Sequence, residues 1–359
     1  MKKLLFIFFF TTLFQTIIFG QSTYKFETYA GSVDGFLDGD RKKALFRSPE
    51  GITADDKGNL YITEYRSSII RKIDTKGNVS ILAGQPLKTG YADGRASESL
   101  IDRPHGITVD KKGNIFFCDM KNQLIRKIGN KGNITTVAGE KGITGIDDGV
   151  GEKARFNQPE GIVVDSKGNL FIADTYNFTI RKIDKNGFVT TFAGTGNQKG
   201  YLNGQGKKAL FNMPIGIAID KSDNLFVLDA IYDSSEQGNS VIRKIDPKGN
   251  VTTFAGVQGV SGHKDGNLHN AVFNKPVGIT VANNRAIFIA DTEADLIRMI
   301  DTKGNVTTIG GQYLIEKSQD GIGSKAAFSD PQSIVVTSNG TIYITDTFNN
   351  KIVKGTKIK

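Results

Sequence analysis

The sequence predicts an all-β protein, a six-bladed β-propeller of four-stranded antiparallel blades, and three observations support this fold class. A unit first seen at residues 47–84 returns five more times, and its prolines are spaced by 55 residues except for one interval of 62, at Pro49, Pro104, Pro159, Pro214, Pro276 and Pro331. A fixed period of this size marks repeats that bury their faces only against their neighbours. The strands are apolar at consecutive positions, as in Leu60, Tyr61 and Ile62. Both faces of such strands are buried, which stacking of sheets around an axis provides.

The N-terminal segment, residues 1–20, predicts a cleaved signal peptide that leaves residues 21–359 as one propeller domain. It pairs Lys2 and Lys3 with an apolar run that ends in a small residue. A retained anchor is the alternative, but the run is short and is interrupted by polar residues such as Gln15. We therefore expect a periplasmic or secreted protein with no membrane span after cleavage.

The first strand of the domain is expected to close the ring. Residues 23–31 match the last strand of later repeats, for example residues 250–256, yet they precede the first repeat. The sixth repeat lacks that last strand. The N-terminal strand therefore predicts the missing fourth strand of blade six.

The composition limits the classes of binding partner that we expect. The formal net charge is +9, or +7 without Lys2 and Lys3, and many lysines fall in repeated turns. No nucleic-acid-binding module is recognisable, so nucleic acid is not an expected partner. The single cysteine, Cys118, excludes an internal disulfide and occupies a strand position typical of a small core residue.

An acid ends the second strand of each repeat, and an arginine follows seven residues later in four of the six copies. The pair begins with Glu64 and Arg71. In the fourth copy Arg243 comes after an insertion, and the sixth copy has Val353 instead. Because the pair recurs around the ring, we interpret it as structural, with the acid accepting backbone N–H bonds and the arginine bridging sheets.

The position between the proline and the following glycine differs most between copies. It should lie at the start of each inner strand, near the central channel, and it holds Glu50, His105, Glu160, Ile215, Val277 and Gln332. One-sided polarity at a channel mouth is typical of a small-molecule or metal site. We expect Glu50, His105, Glu160 and Gln332 to bind ligand. The first three have the oxygen and imidazole donors that could hold one divalent metal ion as a cofactor. The alternative is that these positions vary freely.

The insertion at residues 231–241 breaks the symmetry of blade four. Loops carry function more often than scaffolds do, and Asp233 and Glu236 could cover the channel mouth as a partial lid. The other two histidines, His263 and His269, lie in the linker before blade five, so a three-histidine site is not indicated.

The linkers complete the repeat with an Asp-Gly pair followed by Ala-x-Phe, as at Asp148, Gly149, Ala154 and Phe156. With Pro-x-Gly-Ile, Ile-Arg-Lys-Ile and Ala-Gly, these motifs make residues 23–354 resemble the NHL repeat family, in particular its exported bacterial six-bladed form. The resemblance implies a binding platform for an unidentified protein or small molecule. Our leading hypothesis is a module without catalytic activity, and the alternative is a metal-dependent hydrolase similar to gluconolactonase-type lactonases.

Overall fold

The computed structural model describes residues 23–196, 198–230 and 240–358. Six antiparallel sheets of five strands are arranged as the blades of a propeller, which confirms the predicted fold class. In chain order the strands are β1 Tyr24–Gly31; β2 Gly39–Asp40, β3 Pro49–Ala54, β4 Leu60–Glu64, β5 Ile69–Ile73, β6 Asn78–Ala83; β7 Gly94–Arg95, β8 Pro104–Val109, β9 Ile115–Asp119, β10 Leu124–Ile128, β11 Asn133–Ala138; β12 Gly149–Val150, β13 Pro159–Val164, β14 Leu170–Asp174, β15 Thr179–Ile183, β16 Phe188–Ala193; β17 Gly204–Gln205, β18 Pro214–Ile219, β19 Leu225–Ala230, β20 Ser240–Ile245, β21 Asn250–Ala255; β22 Gly266–Asn267, β23 Gly278–Val281, β24 Ile287–Asp291, β25 Leu296–Ile300, β26 Asn305–Gly311; β27 Gly321–Ile322, β28 Pro331–Val336, β29 Ile342–Asp346 and β30 Lys351–Lys357.

Short 3-10 helices occupy the second-to-third strand loops and the linkers. They span Met120–Asn122, Gly151–Lys153, Thr175–Asn177, Gly206–Lys208, Thr292–Ala294 and Gly323–Lys325. No helix in the described part of the chain is long and apolar enough to cross a membrane.

Each blade has one strand more than the four that the repeat predicts. The extra strand is a two-residue piece of the linker, such as β2, which pairs with the fourth strand β6 at the outer edge. The linker runs along that edge before it turns inward, so its backbone groups complete the sheet. The strand carries no apolar pattern because it lies on the rim of the blade.

The sixth blade closes as expected. Strand β1 lies between β27 and β30, with Tyr24 opposite Lys357 and Gly31 opposite Lys351. Tyr24 and Phe26 are buried in the core between blades five and six. The two distant parts of the chain therefore share one sheet.

Hydrophobic clusters fill the spaces between neighbouring sheets. The linker phenylalanines, among them Phe46, Phe156 and Phe328, are almost completely buried there. Cys118 is also fully buried and packs with Phe156 and Ile172. The thiol is therefore a core group.

Five buried arginines join the second strand to the linker of the same blade. The repeated acid and arginine are therefore structural, as predicted, but the arginine acts within one blade and does not bridge neighbouring sheets. Arg126 donates to Asp119 at 2.7 Å, to Asp93 of the linker at 2.6 Å, and to the carbonyls of Leu100 and Ala92. Asp119 also accepts the backbone N–H of Asp102. Burial raises the pKa of Asp119 to about 6, and the guanidinium opposes that rise. Multiple charge-assisted bonds of this kind hold linker and sheet together.

Blade six lacks this ion pair because Val353 stands at the position of the arginine. The linker acid Asp320 instead accepts the backbone N–H and hydroxyl of Thr28, at 2.9 and 2.8 Å. Thr28 lies opposite Val353 on the neighbouring strand. The strand that closes the ring thus supplies the polar partner that an arginine supplies elsewhere.

Candidate functional site

In five of the six blades, the inner strand begins at a backbone position that the preceding blade holds in place. The residue before the proline has positive φ in five blades, for example 49° at Ser48 and 54° at Asp330. Its N–H is bound by the preceding blade, where Asn350 Oδ1 accepts from Ser48 and Asp295 Oδ1 accepts from Asp330. These bonds fix the direction in which the next side chains enter the channel.

Glycines allow the inner strands to approach each other closely. A Cβ added to Gly106 would collide with the backbone carbonyl of Glu160, and one added to Gly161 would collide with that of Ile215. Only residues without a side chain fit there. The side chains one position earlier are consequently brought together around the channel axis.

The channel has a volume of about 190 Å³ and is lined by all six inner strands. Glu50, His105, Glu160 and Gln332 line it, as the sequence predicts, on the side formed by blades one, two, three and six. On the other side, Ile215 and Val277 form a buried apolar cluster with Ala230. The mouth is therefore polar at four of the six blades and apolar at the other two.

Glu50 and His105 form the closest polar pair in this ring. The Oε2 of Glu50 lies 3.4 Å from Nε2 of His105, and the two side chains are 13% and 16% exposed. Oε2 is shielded from solvent and has no hydrogen-bond partner among the described residues. It is thus a buried acceptor available to a ligand.

Glu160 is the most buried of the three, with 8% of its surface exposed. Its carboxyl group makes no hydrogen bond or ion pair within the parts of the chain that the structure describes. Burial raises the pKa of Glu160 to about 8. The pKa of Glu50 is raised well above its ordinary value. Burial is the largest cause, the nearby Glu160 and Asp330 carboxylates add to it, and Arg66 opposes the rise.

His105 is held neutral by its surroundings. Burial lowers the pKa of His105 to about 4, against a hydrogen bond to the backbone of Glu160 that favours the charged form. At pH 7 the imidazole therefore carries no charge to balance the two acids.

Glu50, His105 and Glu160 are the residues that the sequence predicts as ligands of one divalent metal ion. Across residues 23–196, 198–230 and 240–358, no three His, Cys, Asp or Glu side chains are grouped so that they could hold one. The orphaned Oε2 of Glu50 is a suitable metal donor, but the rest of a coordination shell is not assembled around it.

Several residues at the mouth were missed by sequence reasoning. Asp330 accepts a hydrogen bond from Gln332 Nε2 at 2.8 Å, and burial raises the pKa of Asp330 to about 6. Tyr65 interacts electrostatically with Glu50, Glu160 and Arg103, whose guanidinium lies 5.4 Å from its ring centroid. The position before the proline varies between copies as strongly as the position after it, so the same signal could have identified Asp330 and Arg103.

The other sequence-predicted residues lie elsewhere or outside the described residues. His263 stacks on Tyr313 at 3.6 Å between ring centroids and is exposed, as is His269 in the same linker. Asp233 and Glu236 fall in residues 231–239, and the predicted signal peptide falls in residues 1–22, neither of which the structure describes.

The fold and the channel mouth together define a six-bladed propeller with a buried, asymmetric polar pocket. Residues 144–203 match the teneurin NHL domain, and residues 328–354 match the NHL repeat. Two segments of this propeller therefore match NHL family models.

Two curated proteins from different organisms are similar to this chain in sequence. The chain is 28% identical to Protein SUPPRESSOR OF QUENCHING 1, chloroplastic, of Arabidopsis thaliana, covering 86% of this chain and 30% of that protein. It is 27% identical to NHL repeat-containing protein 2 of Homo sapiens, covering 84% and 46%. The chain spans less than half of the length of these curated relatives.

Solved structures share the fold. An auxiliary nutrient binding protein from Bacteroides thetaiotaomicron aligns with a TM-score of 0.69 at 17% identity, covering 94% of this chain and 78% of that one. Virginiamycin B lyase from Staphylococcus aureus aligns with a TM-score of 0.55 at 18% identity, covering 93% and 100%.

Proposed function

We propose that this protein is a non-catalytic binding propeller that takes a small ligand at the channel mouth, on the side of Glu50, His105 and Glu160. One observation carries the proposal: the carboxyl groups of Glu50 and Glu160 face the channel opposite an apolar wall, Glu160 without a partner among the described residues and Glu50 with the neutral imidazole of His105 at 3.4 Å. Burying an unpaired acid is destabilising, and departures of this kind concentrate at functional sites.

The size of the channel limits the ligand. Its volume of about 190 Å³ is smaller than the roughly 300 to 1,000 Å³ of pockets that hold drug-sized molecules. A metabolite-sized molecule fits this space, and a polypeptide segment does not.

Export and nutrient capture are consistent with this role. The N-terminal segment predicts a cleaved signal peptide, so we place the protein in the periplasm or outside the cell. One structural neighbour is an auxiliary nutrient binding protein. We extend that role to this chain as part of the proposal.

The test compares the wild-type protein with a triple variant, Glu50→Val, His105→Ile and Glu160→Val, which gives blades one to three the apolar residues of blades four and five. Both are screened by thermal shift against a library of amines, sugars, amino acids, carboxylates and divalent cations. We expect stabilising compounds for the wild type that the folded triple variant no longer binds. Glu152→Gln, an exposed acid on a linker helix, is the matched control and should bind as the wild type does.

Equal binding by the triple variant would place the site elsewhere. The screen also tests the metal-dependent hydrolase, because Ca²⁺ or Zn²⁺ binding near one equivalent, lost in the triple variant and accompanied by lactone hydrolysis, would replace our proposal.

A further inference from the structure

We infer that the ligand is a small organic cation, a protonated amine whose ammonium group lies between the carboxylates of Glu50 and Glu160 and whose carbon chain packs against Ile215 and Val277. This inference rests on the proposed function, since it names the ligand class of the same site.

The first step is the contrast with the other buried acids of the molecule. The acids that end the second strands of blades one to five are each paired with a buried arginine, at 2.7 to 3.1 Å. Glu50 and Glu160 form no ion pair with Lys or Arg anywhere in the described ranges. Glu160 is more than nine-tenths buried and lines the channel. The fold thus supplies an arginine to five of these structural acids and neutral donors, the Ser329 N–H and Asn349 Nδ2, to Asp346 of blade six, whereas no described lysine or arginine pairs with the two channel acids.

The second step compares ligand classes with the two sides of the channel, the acids on one side and the apolar residues on the other. A carboxylate ligand would find no counter-charge, because His105 is neutral and the two acids become negative whenever they ionise. A sugar would leave hydroxyl groups without partners against Ile215 and Val277. A divalent ion needs a shell of several oxygen or nitrogen ligands, which the apolar wall does not provide. An ammonium group with a short carbon chain matches both sides, since it offers three donors to the acids and apolar surface to the wall.

The third step concerns protons. The titratable and charged groups around the two acids are His105, Cys118, Asp330, Tyr65, Arg66 and Arg103. At pH 7 burial keeps Glu160 largely protonated, since its pKa is raised to about 8. The ammonium stabilises the ionised carboxylates, so its uptake must release protons to the solvent. Affinity should consequently increase from pH 6 to pH 8.

The probe is n-butylammonium, and 1-butanol is the neutral control of the same chain length. Isothermal titration calorimetry at pH 7 in two buffers of different ionisation enthalpy gives both the affinity and the number of protons released. We expect butylammonium to bind with release of at least one proton and 1-butanol to bind about tenfold or more weakly. Glu160→Gln and Glu50→Gln, which are neutral and of the same shape, should each reduce the affinity by a similar factor.

The control variant Glu152→Gln should leave both readouts unchanged, and the melting curve of each variant verifies that it is folded. Equal binding of 1-butanol, undiminished binding by Glu160→Gln, or uptake without proton release would overturn the inference. Binding of glucose or Ca²⁺ that depends on Glu50 and Glu160, without butylammonium binding, would refute the ligand class and leave the binding function standing. If no library compound binds the wild-type protein, both proposals fail.

Discussion

The substitution Glu160→Gln should make the protein more stable at neutral pH while leaving it almost unchanged in acid. Glu160 is 8% exposed, and burial raises its pKa to about 8 from an ordinary value of 4.5. The folded state therefore holds a proton that the unfolded chain gives up above pH 4.5. Stability is greatest below that pH and declines as the pH rises towards 8, where the loss is complete.

The magnitude follows from the same two values. Between pH 4.5 and pH 7 the unfolded carboxyl group ionises freely while the folded one stays mostly protonated, a difference of about 2.5 pH units. At 1.36 kcal/mol per unit, the wild-type protein loses about 3 kcal/mol of unfolding free energy over this range through Glu160. The glutamine variant does not titrate, so its advantage over the wild type should grow by about that amount.

Urea denaturation of both proteins at pH 5, 6, 7 and 8 measures this difference. Glu152→Gln serves as the control, because an exposed carboxyl group should give a nearly constant difference. If the Glu160→Gln variant and the wild type change in parallel with pH, Glu160 is not a desolvated acid in the folded protein, and the argument for a ligand-ready site fails with it.

Three further predictions concern the ring, its buried ion pairs and the leader. Deleting residues 23–31 should lower the unfolding free energy by at least about 4 kcal/mol, and an unchanged melting temperature relative to a chain lacking only residues 1–22 would contradict the closure. Arg126→Met leaves two carboxylates without their counter-charge, so chemical denaturation should show a loss of about 3 to 5 kcal/mol. The exposed Arg95→Met should change stability by no more than about 0.5 kcal/mol, and equal effects would refute the structural role of Arg126. Intact-mass measurement of the exported protein should show residues 1–20 removed, and their retention would refute the signal peptide.

Much of the fold could be predicted because the repeat recurs at a nearly constant spacing along the sequence. The proline spacing gave the number of blades, and the match of residues 23–31 to later strands gave the closure. The outermost strands were missed because segments such as Gly39–Asp40 have no apolar pattern. They become strands only because the linker passes along an already formed sheet edge.

The candidate site could be predicted only in part from the sequence. The variable residues Glu50, His105 and Glu160 could be placed at the channel, since the proline and glycine on either side mark the start of an inner strand. Their lack of partners could not be predicted, because it depends on which side chains neighbouring blades bring to the mouth. Asp330 of blade six lies near Glu50 of blade one, and Tyr65 of blade one interacts with Glu160 of blade three. The sequence of one repeat does not show these contacts between blades.

The pairing of β1 with β30 has a consequence for how the protein is made. Strand β1 leaves the ribosome first, but its partner residues, 351–357, are synthesised more than 300 residues later. During that interval Tyr24 and Phe26, which are buried in the finished protein, have no sheet to join. The propeller can therefore assemble blades one to five as they emerge, yet ring closure is a late event that depends on protecting a short apolar strand until translation is almost complete.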